Sequence, residues 1–277
     1  MKAGLIQLNS GDDPTANLPV TLDLIRQAAG KGADIVLTPE VTNCVSASRA
    51  HQISVLQHQH DDITLAALRQ EAGALGIWLL IGSLALKTDD PDGRFANRSF
   101  LIDPSGGIAA WYDKIHMFDV TVSDTESYRE SAGYRPGDRA VLCPTPLGRI
   151  GLTICYDIRF PALYRTLAQA GAEILTVPSA FSPVTGAAHW QSLLRARAIE
   201  TGCYVLAPAQ TGIHAASQGK SRETHGHSLA VGPWGDLLAD AGTAPGVVVV
   251  DVARDQVIEA RRRIPSLNAR RPYKDPS

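Results

Sequence analysis

The chain contains two faint copies of one pattern, and that repetition limits what it can fold into. Ala29-Gly30-Lys31-Gly32-Ala33-Asp34-Ile35-Val36-Leu37-Thr38-Pro39-Glu40 resembles Ala168-Gln169-Ala170-Gly171-Ala172-Glu173-Ile174-Leu175-Thr176-Val177-Pro178-Ser179. Each copy reads as a helix stopped by Gly, then a short buried strand closed by Pro. Further on, Gly76-Ile77-Trp78-Leu79-Leu80-Ile81 matches Gly202-Cys203-Tyr204-Val205-Leu206-Ala207. Ser99–Ile108 and Ser228–Leu237 then align as hairpins around a Pro/Gly turn. With opening strands at Lys2–Leu8 and Arg149–Cys155, each half runs strand, helix, strand, helix, strand, hairpin. Strands alternating with helices imply a largely parallel or mixed sheet with helices on its faces. Two such halves pack most simply sheet to sheet. The expected fold is therefore α/β, a four-layer α-β-β-α sandwich with an internal pseudo-twofold duplication. It is expected to form one domain over residues 1–277, with a C-terminal tail from about 261. A single doubly wound sheet with added hairpins is the competing arrangement.

Composition narrows the partners. With 277 residues, 44% hydrophobic and 19% charged, the chain can offset its ordering entropy by burial, so disorder is excluded as the main state. A net charge of −2 gives no reason to expect nucleic acid or an anionic membrane. No apolar run approaches the ~18–20 residues of a membrane span. The apolar stretch in Met1–Leu8 is too short for a signal peptide, so the expected compartment is the cytoplasm. Cys44, Cys143, Cys155 and Cys203 never form Cys-x-x-Cys, so neither a disulfide framework nor a zinc knuckle is expected. His58-x-His60 and His225-x-His227 resemble metal pairs but lack a further ligand at recognisable spacing, so no metal is expected. Val41–Asp61 has no counterpart in the second half and reads as an inserted loop. The arginines at 261–263, 270 and 271 read as a solvated or subunit-contacting tail.

In open α/β sheets ligands bind beyond the carboxyl ends of the strands. Three polar residues stand where apolar runs stop: Glu40 after Asp34–Thr38, Lys114 after Ile108–Tyr112, and Cys155 after Arg149–Ile154. Taken singly they have plain explanations: a solvated loop residue, a surface charge, a buried small residue. Together they make one chemistry. A thiol becomes a useful nucleophile when a cation or helix start stabilises its thiolate, and Asp157 followed by Pro161 reads as a helix beginning immediately after Cys155. Lys114 supplies a cation and a donor for an oxyanion. Glu40 accepts the thiol proton and later activates water.

The segments that carry these residues resemble a known family. Leu37-Thr38-Pro39-Glu40, Tyr112-Asp113-Lys114-Ile115-His116-Met117-Phe118-Asp119 and Gly151-Leu152-Thr153-Ile154-Cys155-Tyr156-Asp157-Ile158-Arg159-Phe160-Pro161 are similar to the three signatures of the nitrilase, or carbon–nitrogen hydrolase, superfamily. The resemblance covers essentially the whole chain. It implies the same sandwich, a Glu-Lys-Cys triad at Glu40, Lys114 and Cys155, a second acid at Glu130, and a thioester intermediate. The backbone N–H of Tyr156 is expected beside Lys114 in the oxyanion site. Cys-Tyr-Asp at 155–157 resembles the amidase branch, where nitrilases proper have Cys-Trp-Glu. Pro178-Ser179-Ala180-Phe181, Thr185–Trp190 and Ala209-Gln210-Thr211-Gly212 resemble the subgroup that hydrolyses small alpha-keto acid amides. That resemblance implies deaminated glutathione as substrate, with alpha-ketoglutaramate or another small amide as the alternative. It also implies that Arg159, Phe181 and Thr185 bind the substrate, with Lys220 and Arg222 holding a second carboxylate. A homodimer without cofactor is expected. Asp113 and Ser123-Asp124-Thr125-Glu126 depart from the family pattern and are expected to border the mouth of the site. A catalytically silent binding protein on the same fold is the alternative from another class.

Overall fold

Local chemistry starts and stops the helices. Asp13 caps α1 (Pro14–Gly30) by accepting from Thr15 N, and Pro14 fixes the first helical φ. Arg49–Val55 forms α2 behind Ser48. Asp62 caps α3 (Ile63–Leu75), which ends at Gly76 with φ 64°. Pro161–Gln169 forms α4. Ser182 caps α5 (Pro183–Thr201), which ends at Gly202 with φ 61°. Gly76 and Gly202 are the paired positions of the duplication, and both adopt the left-handed conformation that costs a glycine least. Arg254–Arg263 forms α6. The structure, a computed structural model, describes residues 1–123, 126–269 and 271–272. Asp124, Thr125 and Arg270, named above, lie outside the described residues.

Sixteen strands are described. Lys2–Gln7 (β1), Ile35–Leu37 (β2), Trp78–Leu86 (β3), Ala96–Ile102 (β4) and Ile108–Asp113 (β5) belong to the first half. Asp119–Ser123 (β6) and Glu126–Arg129 (β7) form a separate hairpin. Then follow Val141–Thr145 (β8), Gly148–Leu152 (β9), Ile174–Thr176 (β10) and Tyr204–Ala207 (β11). Thr211–Ile213 (β12) pairs with Glu223–His225 (β13). Leu229–Val231 (β14), Leu237–Asp240 (β15) and Gly246–Asp251 (β16) complete the set. The two large sheets run β16-β1-β2-β3-β4-β5 and β15-β14-β11-β10-β9-β8. Removing β16 and β8 leaves β1-β2-β3-β4-β5 matched by β9-β10-β11-β14-β15, as the duplication requires. Each opening strand then gains one antiparallel neighbour: β16 lies on β1, and β8 on β9.

The two faces of the first sheet divide cleanly. Ala3, Leu5, Ile35, Leu37, Leu80, Leu101 and Tyr112 join Ile150, Leu152, Ile174 and Val205 of the second sheet in one apolar cluster. Val36, Leu79, Ile81, Phe100 and Ile102 alternate with them and pack against Leu24, Ile25 and Ala28 of α1 and Leu65, Leu68 and Ala72 of α3. Each such Leu or Ile contributes about 1.5–3 kcal/mol on burial. With α4 and α5 supplying Leu163, Leu167, Trp190 and Leu194 on the other side, the layers read α-β-β-α. The single doubly wound sheet is excluded.

Three expectations change. The opening strands stop at Gln7 and Leu152: Leu8 makes only an isolated bridge to Gln210, and Cys155 opens a 3-10 segment. Val41–Asp61 is not loop throughout, because α2 lies inside it. Finally, β8 and β16 had no place in the strand–helix pattern. Among the described residues no helix is long and apolar enough to cross a membrane.

Candidate active site

Cys155 is set by a tight turn. After β9 the chain enters a short 3-10 segment, Cys155–Arg159, and Cys155 itself has φ 49°. A non-glycine residue at positive φ is strained, and such strain persists only where surroundings over-determine it. Here Asp157, fully buried, does so. One carboxylate oxygen accepts from Tyr112 OH at 2.7 Å and Ile154 N at 2.9 Å. The other accepts from His116 N at 3.0 Å and lies 2.7 Å from His116 Nδ1. Tyr112 and His116 flank Lys114, so Asp157 ties the lysine segment to the cysteine turn. His116 also stacks on Phe160 with centroids 3.5 Å apart.

Glu40 follows β2, in a turn built on Thr38 and Pro39. Val41 behind it has φ 46°, and its N–H donates to Ser83 Oγ at 2.8 Å. Glu40 Oε1 accepts from Lys114 Nζ at 2.8 Å and Asn97 Nδ2 at 2.9 Å, while Oε2 accepts from Ala180 N at 2.9 Å. Lys114, immediately after β5, also donates to both oxygens of Glu130 at 2.9 Å. Glu130 stands at the end of the β6–β7 hairpin, where Phe118 N donates to it at 2.6 Å. The four residues Glu40, Lys114, Glu130 and Cys155 thus meet at one place, from four separate segments of chain.

Electrostatics sets their resting state. Burial raises the Glu40 carboxyl, but the charge and hydrogen bond of Lys114 outweigh it and hold the group below its ordinary value. Lys114 is desolvated too, yet Glu130 and Glu40 keep it charged, well above the usual ammonium value. Burial pushes the Cys155 thiol up, and the neighbouring Glu40 charge adds to it more than Lys114 subtracts. One ammonium between two carboxylates leaves no net positive charge for a thiolate. Burial and the Glu40 charge thus favour the thiol form of Cys155, hydrogen-bonded to Glu40, which accepts its proton as the sequence leads one to expect.

Above this cluster lies a cavity of about 790 Å³, walled by Glu40, Asn97, Lys114, Glu130, Cys155 and Tyr156 at its floor. Phe181 and Thr185 line it, and so do Lys220 and Arg222 from the β12–β13 connection. Arg49 and Arg129 add two more cationic side chains to the wall. Arg159 does not reach the wall. Its guanidinium lies 5.6 Å from the Phe181 ring and 5.8 Å from the Tyr156 ring, with Nη2 3.2 Å from His189 Nδ1. Asp113 is likewise not at the mouth: it is buried in a two-pronged pair with Arg98 at 2.6 and 2.8 Å. Cys44, Cys143 and Cys203 are buried and free, away from the cluster's hydrogen bonds. Among the described residues no group of three or more His, Cys, Asp or Glu is placed to hold a metal ion. Sequence reasoning missed Asn97 and the role of Asp157. Neither sits at the end of an apolar run, and only the folded contacts reveal them.

A family model described as carbon–nitrogen hydrolase matches residues 2–262. The deaminated glutathione amidase of Yersinia enterocolitica is 39% identical over 269 residues, covering 96% of this chain and 92% of its own. The NitFhit protein of C. elegans superposes with a TM-score of 0.89 at 34% identity. That match covers 98% of this chain, which spans only 65% of that longer protein. An amidase from Nesterenkonia sp. AN1, a Glu-to-Gln variant with acrylamide added to its active-site cysteine, superposes with a TM-score of 0.77 at 26% identity, covering 95% of this chain and 98% of that one.

Proposed function

We propose a mechanism and a substrate for this chain, which belongs to the carbon–nitrogen hydrolase family. It is an amidase, a hydrolase of carbon–nitrogen bonds other than peptide bonds. The carrying observation is the hydrogen-bonded group of Glu40, Lys114 and Glu130 beside a buried thiol at the floor of one cavity. Cys155 Sγ attacks the amide carbon as its proton passes to Glu40. Lys114 Nζ and the Tyr156 N–H hold the oxyanion. Glu40 returns the proton to the departing amine as the C–N bond breaks, leaving a thioester. Glu40 then takes a proton from water, whose oxygen attacks the thioester, and the thiol is restored. Glu130 keeps Lys114 charged and aimed.

The substrate we assign is deaminated glutathione, a small alpha-keto acid amide with carboxylates at both ends. Lys220, Arg222, Arg49 and Arg129 on the cavity wall suit such an anion. Phe181 and Thr185 flank the keto-acid end, with Arg159 adding charge from behind Phe181. Lys220 and Arg222 take the glycine carboxylate that alpha-ketoglutaramate lacks. We read the protein as a single-domain, cytoplasmic homodimer acting on a small molecule without cofactor: the single domain rests on the duplication, the compartment on the unpaired cysteines and the homodimer on the family resemblance.

Parallel turnover of deaminated glutathione, alpha-ketoglutaramate and a simple nitrile tests the assignment, repeated with Lys220→Ala and Arg222→Ala. Each lost charge-assisted contact is expected to raise KM for deaminated glutathione about tenfold or more, leaving alpha-ketoglutaramate unchanged. Preferred turnover of alpha-ketoglutaramate, or equal losses on both amides, overturns the substrate assignment.

A further inference from the structure

Asn97 touches more of the cluster than any sequence signature suggests. It is the second residue of β4, 2% exposed, and it stands on the cavity wall. Its Nδ2 lies 2.9 Å from Glu40 Oε1 and 3.4 Å from Glu130 Oε1, and its backbone oxygen accepts from Lys114 N at 3.0 Å. Carboxylates only accept, so the NH2 group must face them and the amide has one possible orientation. That orientation leaves Oδ1 buried and without a hydrogen-bond partner among the described residues. Both carboxylates are thus served by one NH2 group, at 2.9 and 3.4 Å.

We propose that Asn97 is a positioning residue that selects which oxygen of Glu40 serves as the base. A carboxylate oxygen offers two lone-pair sites. Lys114 Nζ and Asn97 Nδ2 occupy both sites on Oε1, whereas Oε2 accepts from Ala180 N and has its other site left for the Cys155 proton. The same NH2 lies between Glu40 and Glu130 and screens their repulsion without adding charge. The charged or titratable groups facing Glu40 are Lys114, Cys155 and, across Lys114, Glu130. Loss of the NH2 frees Oε1 to compete for the proton and weakens the support of the ionised carboxylate. This inference rests on the reading of Glu40 as base.

Asn97→Asp and Asn97→Ala test it, measured as pH profiles of kcat and KM with thermal melts alongside. Both are expected to lower kcat ten- to hundredfold with KM changed less than threefold. Both should move the acid limb of the kcat profile to higher pH, and Asn97→Asp further despite its near-identical shape. Asn97→Ser supplies the same comparison if either variant does not fold. An unmoved acid limb, whatever happens to the melting temperature, leaves Asn97 only a structural role and overturns the inference. The base reading fails separately: there, Glu40→Gln would retain turnover.

Discussion

Replacing Glu40 with Gln removes the proton acceptor of Cys155 and one of two negative charges around Lys114. The magnitude follows from the geometry. At hydrogen-bond range, about 4 Å, two like charges in an effective dielectric of ~20 repel by about 4 kcal/mol. That corresponds to about three pH units on the thiol. The sign is fixed: the Glu40 charge raises the thiol, so its removal lowers it, and the less-opposed ammonium of Lys114 pulls the same way. Methyl methanethiosulfonate, small and uncharged with no amide nitrogen, reads thiolate at Cys155 when its rate is followed against pH by mass spectrometry. Cys44, Cys143 and Cys203 report separately, each raised by burial. The wild-type rate is expected to climb without a midpoint up to about pH 10. In Glu40→Gln the rate at any one pH in that range should rise by up to about a thousandfold, the extra thiolate that three pH units supply. Amide turnover should fall by about 10²–10⁴, the usual contribution of a general base. A Cys155 rate in Glu40→Gln at or below that of the wild type at the same pH refutes the electrostatic account, and undiminished hydrolysis refutes the mechanism.

Two stability experiments follow from other sites. Asp62 caps α3 through Leu65 N at 2.7 Å, but burial pushes its carboxyl up to about 6 from 3.8. A carboxyl raised by folding loses stability as pH climbs between those values, so Asp62→Asn, which retains a capping oxygen, should stabilise at pH 8 by up to about 3 kcal/mol. Thermal melts should show that gain fading towards pH 4; an equal gain at both pH values would sink the explanation. At Gly82, a Cβ would lie 2.0 Å from the Thr38 oxygen and 2.5 Å from both the Pro39 oxygen and Pro178 Cβ. Gly82→Ala is expected to cost about 3 kcal/mol or more and to lower kcat by displacing the turn that carries Glu40. Gly30→Ala, with nothing within 4 Å, is its neutral control in urea titration.

Much of this was readable before folding. Helix ends carry their signals locally, which is why Gly76 and Gly202 could be paired by eye. Strand ends mark the site, so Glu40, Lys114 and Cys155 stood out against apolar runs. Partners across long sequence distances left no such trace. Glu130 is a loop charge until Lys114 arrives beside it, and it was found only through the family resemblance. Asn97 sits inside a strand where alternation alone assigns it to a face. The charge balance around the thiol depends on two carboxylates sharing one ammonium, a count only the assembled cluster gives. The pairing of Gly246–Asp251 with Lys2–Gln7 has no local cause at all.

That pairing bears on how the protein is made. The first sheet holds Glu40 and Lys114, yet β1 keeps an open edge until β16 has been synthesised and has folded back, with Lys2 opposite Asp251. On the ribosome, the early half therefore waits, with an unpaired strand edge of the kind that recruits other chains. The duplication invites cutting the gene between its halves, but neither fragment would be whole. The first would lack the strand that completes its sheet, and the second would carry a strand with no partner. A circular permutant that begins at β16, carries α6 after it and is then linked to Met1 would bring that edge closure to the start of synthesis.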